Sequence, residues 1–253
     1  MKTEPPAFRL RWPHYLLAAA VYGALLLAWA PASLMTGLAA ERLPGVRFAQ
    51  VQGSFWNGRA DAAVTLGAQP VAARLTWRFR PSELLTGGLG YAVRMETLDA
   101  TQAAADGIVR LGPGRVALRQ VQARAMLSWL LRFDPAFANL PFGGELNVAS
   151  DALQLSRTAI EGTARVDWSD ARFARHALGR HRIEAVGEGA ALALRLRTLD
   201  GPLDLDGAGA WRLTGELRFA GTARARPGAR GLDEVLKWLG PERNGAHAFR
   251  FPR

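Results

Sequence analysis

Two periods organise the apolar positions of this chain. Residues His14 to Ala30 form one uncharged apolar run, and past residue 45 apolar residues alternate with polar or small ones. The alternation is clear at Val64-Thr65-Leu66, Ala73 to Arg80, Tyr91 to Met95, Val116 to Arg119 and Leu192 to Arg197. It is plainest at Trp211 to Phe219. A period of two sends successive side chains to opposite faces, so these segments predict antiparallel strands with one buried and one wet face. Gly87-Gly88, Gly112-Pro113-Gly114, Gly143-Gly144 and Asp200-Gly201-Pro202 read as the breaks between them.

Helical spacing is confined to short pieces. Pro81 to Leu85 makes one turn; Ala125 to Phe133 places Met126, Trp129, Leu130 and Phe133 on one face; Leu232 to Leu239 aligns Val235, Leu236 and Leu239 before Gly240-Pro241 stops it. Such pieces are expected as caps that close sheet ends against edge pairing. Loosely related stretches recur at Gly53 to Ala60, Gly162 to Trp168 and Gly207 to Trp211, where small residues leave room for a tryptophan. No Ser- or Pro-rich linker divides the chain, which favours one continuous domain after the apolar run.

The run itself is at the lower edge of what spans a hydrocarbon core roughly 30 Å thick, and the uncharged stretch Pro31 to Ala40 can lengthen it or lie in the interface. Lys2, Arg9 and Arg11 precede it with Glu4 as the sole acid, and Trp12 and Trp29 bracket it as interfacial anchors do. The expectation is a cytoplasmic arm over residues 1–13, a transmembrane anchor over 14–35 and a domain over 45–253 on the far side, the periplasm of a bacterium. A cleaved secretory signal is the alternative. Its best cut, after Ala28-Trp29-Ala30, would fall just before Pro31.

The chain has no cysteine, which excludes a disulfide-stapled scaffold and a thiolate metal site. Its formal net charge is +10, but lysine occurs only at Lys2 and Lys237, and the arginines are scattered and often alternate with apolar residues, as solvated strand faces do. The densest stretch holds Arg172, Arg175, Arg180 and Arg182 with His176 and His181 between. No aromatic stacking platform accompanies it, so an anionic lipid surface or an acidic protein suits it better than nucleic acid.

Candidate chemistry is sparse. Asp167, Asp170, His176 and His181 could be assembled into a metal site, yet the spacing of five between the histidines fits neither a helix face nor a strand face. Asp204 and Asp206 share a strand face as paired carboxylates would, in a stretch that reads as solvated. Ser128 falls within an apolar helix, and no nucleophile elbow, phosphate loop or dinucleotide fingerprint is present.

One pattern is recognisable. Gly53-Ser54-Phe55-Trp56-Asn57-Gly58-Arg59-Ala60 resembles the Gly-Thr-x-Trp-x-Gly-x-Ala stretch that follows the membrane anchor in protein N of the type II secretion system, and Leu75-Thr76-Trp77-Arg78-Phe79-Arg80-Pro81-Ser82-Glu83-Leu84-Leu85 is similar to that family's Leu-x-Trp-x-x-x-Pro-x-x-Leu-Leu. Pro141 to Leu146, Gly201 to Gly207 and Leu236 to Gly240 follow in the expected order. Ser54 and Phe55 stand where the family has Thr and an aliphatic residue. The resemblance implies a non-catalytic inner-membrane component of protein export. It brings no catalytic residue, cofactor or metal. The implied partners are other secretion subunits, of the inner-membrane platform or the secretin, and membrane lipid; no nucleic acid or small-molecule substrate is expected.

The motif residues Gly53, Trp56, Gly58, Trp77, Pro81 and Leu84 are expected to be structural, with Trp56 buried against the space left at Gly58. The fold expected is all-β: an N-terminal transmembrane helix, then a curved antiparallel sheet folded over its own apolar face, like a taco or open jelly roll, with a few short capping helices. Such a trough also suits a periplasmic bridge-like protein that handles lipid or lipopolysaccharide. How full the trough is separates the two: alanines of strand 60–64 would leave room, and Trp77, Trp168 and Trp211 would fill it. An exported hydrolase is the third alternative.

Overall fold

The alternating segments pair into one antiparallel sheet in a computed structural model of the chain, which describes residues 12–42, 45–66, 69–99, 102–112, 114–133, 138–229, 231–243 and 245–251. The arm carrying Lys2, Glu4, Arg9 and Arg11 lies outside the described residues, as does Pro113 of one expected break. Fourteen strands are described. They are β1 (Val46–Gly53), β2 (Asn57–Leu66), β3 (Gln69–Arg80), β4 (Leu89–Thr97), β5 (Ala103–Gly112), β6 (Arg115–Met126), β7 (Phe142–Ser156), β8 (Ile160–Phe173), β9 (His176–Glu188), β10 (Ala191–Asp200), β11 (Leu203–Arg212), β12 (Leu217–Ala225), β13 (Glu242–Arg243) and β14 (Ala246–Phe251). The first twelve lie side by side in chain order; β14 then pairs with β12, and β13 lies outside β14.

Register explains the two-faced pattern. Residues directly opposite one another in antiparallel strands share a face. Ala60, Leu75, Met95, Ala105, Ala123, Val148, Val166, Ile183 and Leu196 are successive partners from β2 to β10 and make a continuous apolar row. One residue along, Arg59, Thr76, Arg94, Asp106 and Gln122, then Ala149, Arg165, Glu184 and Arg195, form a polar row on the other face. β11 shows the alternation in miniature: Leu203, Leu205 and Gly207 are buried, Asp204 and Asp206 exposed.

The apolar face is filled at both flanks and open in the middle. One core joins Phe173, Leu178, Leu196, Leu203, Leu205, Ala223 and Phe249 to Val235 and Leu236 of a short helix, α4 below. Each such fully buried leucine contributes about 1.5–3 kcal/mol. A second core gathers Ala32, Ala60, Trp77 and Tyr91, with Met35, Phe48, Phe55, Phe79 and Val93 against them. Between the two, Met95 is exposed and Ala105, Ala123, Val148 and Val166 are only half-buried.

Among the described residues four helices and a 3₁₀ turn accompany the sheet: α1 (Trp12–Ala28), α2 (Ala32–Arg42), the 3₁₀ turn Pro81–Thr86, α3 (Leu127–Leu131) and α4 (Asp233–Leu239). The apolar segment expected to run unbroken through residue 35 divides before Pro31, which disfavours helical backbone at the residue ahead of it. Pro31 bridges Ser54, and α2 turns back onto β1 and β2 with Ala32 and Thr36 buried. At 1.5 Å per residue α1 is about 25 Å long. Among the described residues no helix is long and apolar enough to cross a membrane.

Three expected boundaries shift. Trp211 to Phe219 is not one strand but a hairpin: Gly215 has φ +87, Gly215 N donates to Arg212 O at 2.8 Å, and Arg212 N to Glu216 O at 2.9 Å. Gly143-Gly144 lies inside β7 as a bulge rather than between strands, because a side chain at Gly144, φ +114, would meet Trp168 Nε1 and Ser169 O at 2.6 Å. The helix expected over Ala125 to Phe133 shrinks to α3, since Ala125 and Met126 pair with Leu146 and Glu145 of β7.

Candidate functional site at the helix–sheet junction

The Gly53-to-Gly58 motif is the turn from β1 to β2. Gly53 adopts φ +93, and any Cβ there would collide with Asn57 O, so glycine alone fits. Ser54 N donates to Asn57 O at 2.8 Å, closing the turn. Phe55 N donates to Ala30 O at 2.8 Å. The turn therefore grips the chain as it leaves α1.

Trp77 locks the grip. It pairs with Gly58, and a Cβ at Gly58 would stand 2.5 Å from Trp77 Cζ2. The space left by Gly58 thus serves Trp77 and not, as expected, Trp56. The Trp77 ring is 3 % exposed, and its Nε1 donates to Ser54 O at 3.3 Å and Phe55 O at 3.1 Å. Trp56 is half-buried at the rim, its ring 4.6 Å from Phe79 and 5.2 Å from Phe55. Tyr91 closes the floor against Phe55 and Phe79, and burial pushes its hydroxyl up to about 12.

Pro81 opens the 3₁₀ turn at the same end of the sheet, its fixed φ suiting a first helical position. Glu83 turns inward, where its side chain lies over Gly90 and its carboxylate is 3.7 Å from Arg119. Leu84 is exposed, and so is Leu85. Of the six motif residues, the structure brings Gly53, Gly58 and Trp77 into direct contact with the turn's backbone, sets Trp56 on the rim, and turns Leu84 outward.

The chemical candidates do not converge. Asp167 receives both Nε and Nη2 of Arg182 and faces Arg165 at 3.6 Å. His181 is buried, shares a hydrogen bond of 3.0 Å between Nδ1 and Thr198 Oγ1, and lies 5.3 Å from the Trp168 ring. Burial pushes its pKa down to about 4. His176 sits against Gly231, and Asp170 occupies a left-handed bulge position. Among the described residues no three His, Asp or Glu groups are placed to hold a metal ion. Asp204 is 3.5 Å from Arg226, Asp206 is exposed beside it, and Ser128 faces outward. In the dense arginine stretch, Arg182 is committed to Asp167 and Arg180 to Asp200 at 3.8 Å.

The role of α2 escaped the sequence reading. Its signal was there: Ala32, Met35 and Thr36 follow helical spacing and are the residues turned to the sheet.

The geometry describes a clamp between an apolar helix and a long sheet. A family model described as type II secretion system (T2SS), protein N, matches residues 44–251, which takes in all fourteen strands. No curated relative and no solved structure matches the chain. The chain belongs to the type II secretion system protein N family.

Proposed function

We propose that this protein is a non-catalytic, inner-membrane-anchored component of type II secretion, with its sheet in the periplasm and its partners among the subunits of the inner-membrane platform or the secretin. The observation that carries the reading is the family match over 44–251, an unbroken sheet hung from an apolar helix by the Gly53–Gly58 turn. In this reading α1, with the basic residues ahead of it, is the anchor, the bilayer thinning to accept a short span. The register shifts in the β5–β6, β7–β8 and β8–β9 ladders support a trough, since a bulge bends its strand. A non-catalytic role is supported by the acids and histidines, which are spread among exposed ion pairs and the core.

The test is complementation. Deleting the gene should leave secreted proteins in the periplasm, the full chain should restore their release, and a chain whose residues 12–28 are exchanged for a cleavable signal should not. Unchanged secretion in the deletion strain would refute the reading. Protease added to spheroplasts should digest the sheet, and carbonate washing should leave the chain in the membrane; a soluble mature form would refute the anchor.

The open middle of the apolar face favours a second reading, that the trough holds acyl chains. A photo-crosslinker at Ala123 or Val148 reports on it directly: lipid adducts there would support lipid handling, and adducts confined to protein would exclude it.

A further inference from the structure

The end of the sheet from which α1 departs is not an ordinary solvated rim. Ala30, Gly53 to Gly58, Trp77 and the 3₁₀ turn Pro81–Thr86 all lie at this end, because β1 finishes, β2 starts and β3 finishes there. β4 begins at the same end with Leu89, which pairs with Leu111; Leu111 pairs with Val116, and Val116 with Leu155. Leu89 and Leu111 are both exposed, and the 3₁₀ turn adds Leu84, 51 % exposed, and Leu85, 91 % exposed. Single exposed leucines are common on any protein. Four, on two adjacent strands and the turn leading into them, gather at one end of the sheet as a leucine lip. At the far end the exposed large apolar residues Leu98, Met126 and Leu199 stand at the ends of β4, β6 and β10, which are not neighbours.

Charge completes the picture. Arg80 closes β3, Arg115 opens β6 and Arg157 sits in the β7–β8 turn, all exposed and all at the leucine end. Of the carboxylates at this end, Glu83 is buried and turned to Arg119, while Glu161 near the start of β8 and Glu188 at the end of β9 are exposed. Apolar side chains flanked by arginine suit the boundary between acyl chains and anionic headgroups, where the guanidinium forks meet phosphate while their stems lie along apolar surface.

Resting on the reading of α1 as a membrane anchor, we propose that this leucine lip is a second membrane contact: Leu84, Leu85, Leu89 and Leu111 dip into the leaflet that α1 enters, and Arg80, Arg115 and Arg157 hold anionic lipid phosphates. One helix leaves a domain free to tilt and spin over the bilayer. A second contact fixes which edge of the sheet faces the membrane and stands the strands away from it.

The chain has no cysteine, so single labels can be placed in the full-length protein. Leu17→Cys, Leu85→Cys and Leu98→Cys, each carrying an environment-sensitive fluorophore, are reconstituted into phosphatidylcholine nanodiscs with and without phosphatidylglycerol. The lipids include one spin-labelled near the top of its acyl chain. Quenching is expected at Leu17 and Leu85 and not at Leu98, and at Leu85 it should fall when phosphatidylglycerol is omitted or when Arg115→Glu and Arg157→Glu are added. Quenching at Leu17 without any at Leu85 overturns the lip and spares the anchor. No quenching at Leu17 overturns the anchor reading and the lip with it. Quenching at Leu85 that ignores both lipid charge and the arginine changes overturns the phosphate contacts. A Leu85 label that shifts blue only on adding other secretion subunits, unquenched by lipid, assigns the lip to a protein partner instead. Circular dichroism matching the parent shows that each variant is folded.

Discussion

Exchanging Gly58 for Ala tests the clamp most directly. The new methyl would sit 2.5 Å from Trp77 Cζ2 and 2.8 Å from Gln52 O. Neither neighbour yields easily, since the indole is pinned by two carbonyls and Gln52 O is backbone. Overpacking of this kind costs about 1–3 kcal/mol. Trp77→Ala alone should cost about 3–5 kcal/mol as a buried large aromatic. The decisive number is their coupling. With the ring gone the Gly58 methyl loses its worst clash and keeps the one with Gln52 O, so the double variant should be more stable than the sum of the two by about 1–2 kcal/mol. Urea unfolding of the full chain in non-ionic detergent, followed by far-ultraviolet circular dichroism, gives all four corners of the cycle. Strict additivity would show that the ring does not occupy the space at Gly58 and would refute the clamp.

Further outcomes follow from neighbouring contacts. His181 titrates near 6.5 unfolded and about 4 folded, so the unfolded chain takes the proton first: stability is full above pH 6.5, falls by about 3 kcal/mol as pH drops through 4, and levels off below. Urea midpoints across that range should show the slope in the parent and not in His181→Phe. Gly53→Ala, forced into a left-handed conformation against Asn57 O, should lose about 2–3 kcal/mol and expose the α1–α2 connection to limited proteolysis. Trp56→Ala, half-buried, should cost less than Trp77→Ala by about 1 kcal/mol or more; equal costs would place Trp56 in the core. Arg182→Ala should change stability by no more than about 1 kcal/mol, shrinking with added salt, because its pairing with Asp167 is partly solvated.

Period two was legible wherever a strand has one wet face, as in β3, β10 and β11. It misled at Trp211 to Phe219 because a hairpin through Gly215 keeps alternating residues on both arms, so only the conformation of the turn, not the pattern, marks the reversal. Gly143-Gly144 misled in the opposite sense, a bulge looking like a break when read along one chain. At the junction, the spacing of Gly53, Trp56 and Gly58 indicated a large ring over a small residue. Which ring takes the space depends on the register of β3, which a local motif does not contain. The exposed leucines were visible as residues; their neighbourhood was not, because Leu85 and Leu111 are brought to one end by strand order alone.

That strand order governs how the molecule is made. Because β2 to β12 each pair with their predecessor, nearly every ladder is a local hairpin, and a chain of low contact order can add strands in the order of the sequence, starting at the clamp. The last step differs. β12 ends at Ala225 and its partner begins at Ala246, so the edge of β12, with Leu203, Leu205 and Ala223 beneath it, stays uncovered until α4 and Phe249 arrive. A nascent sheet halted there would present a bare edge to its neighbours, which makes the carboxy-terminal residues, far from α1 in sequence, the seal against self-association during folding.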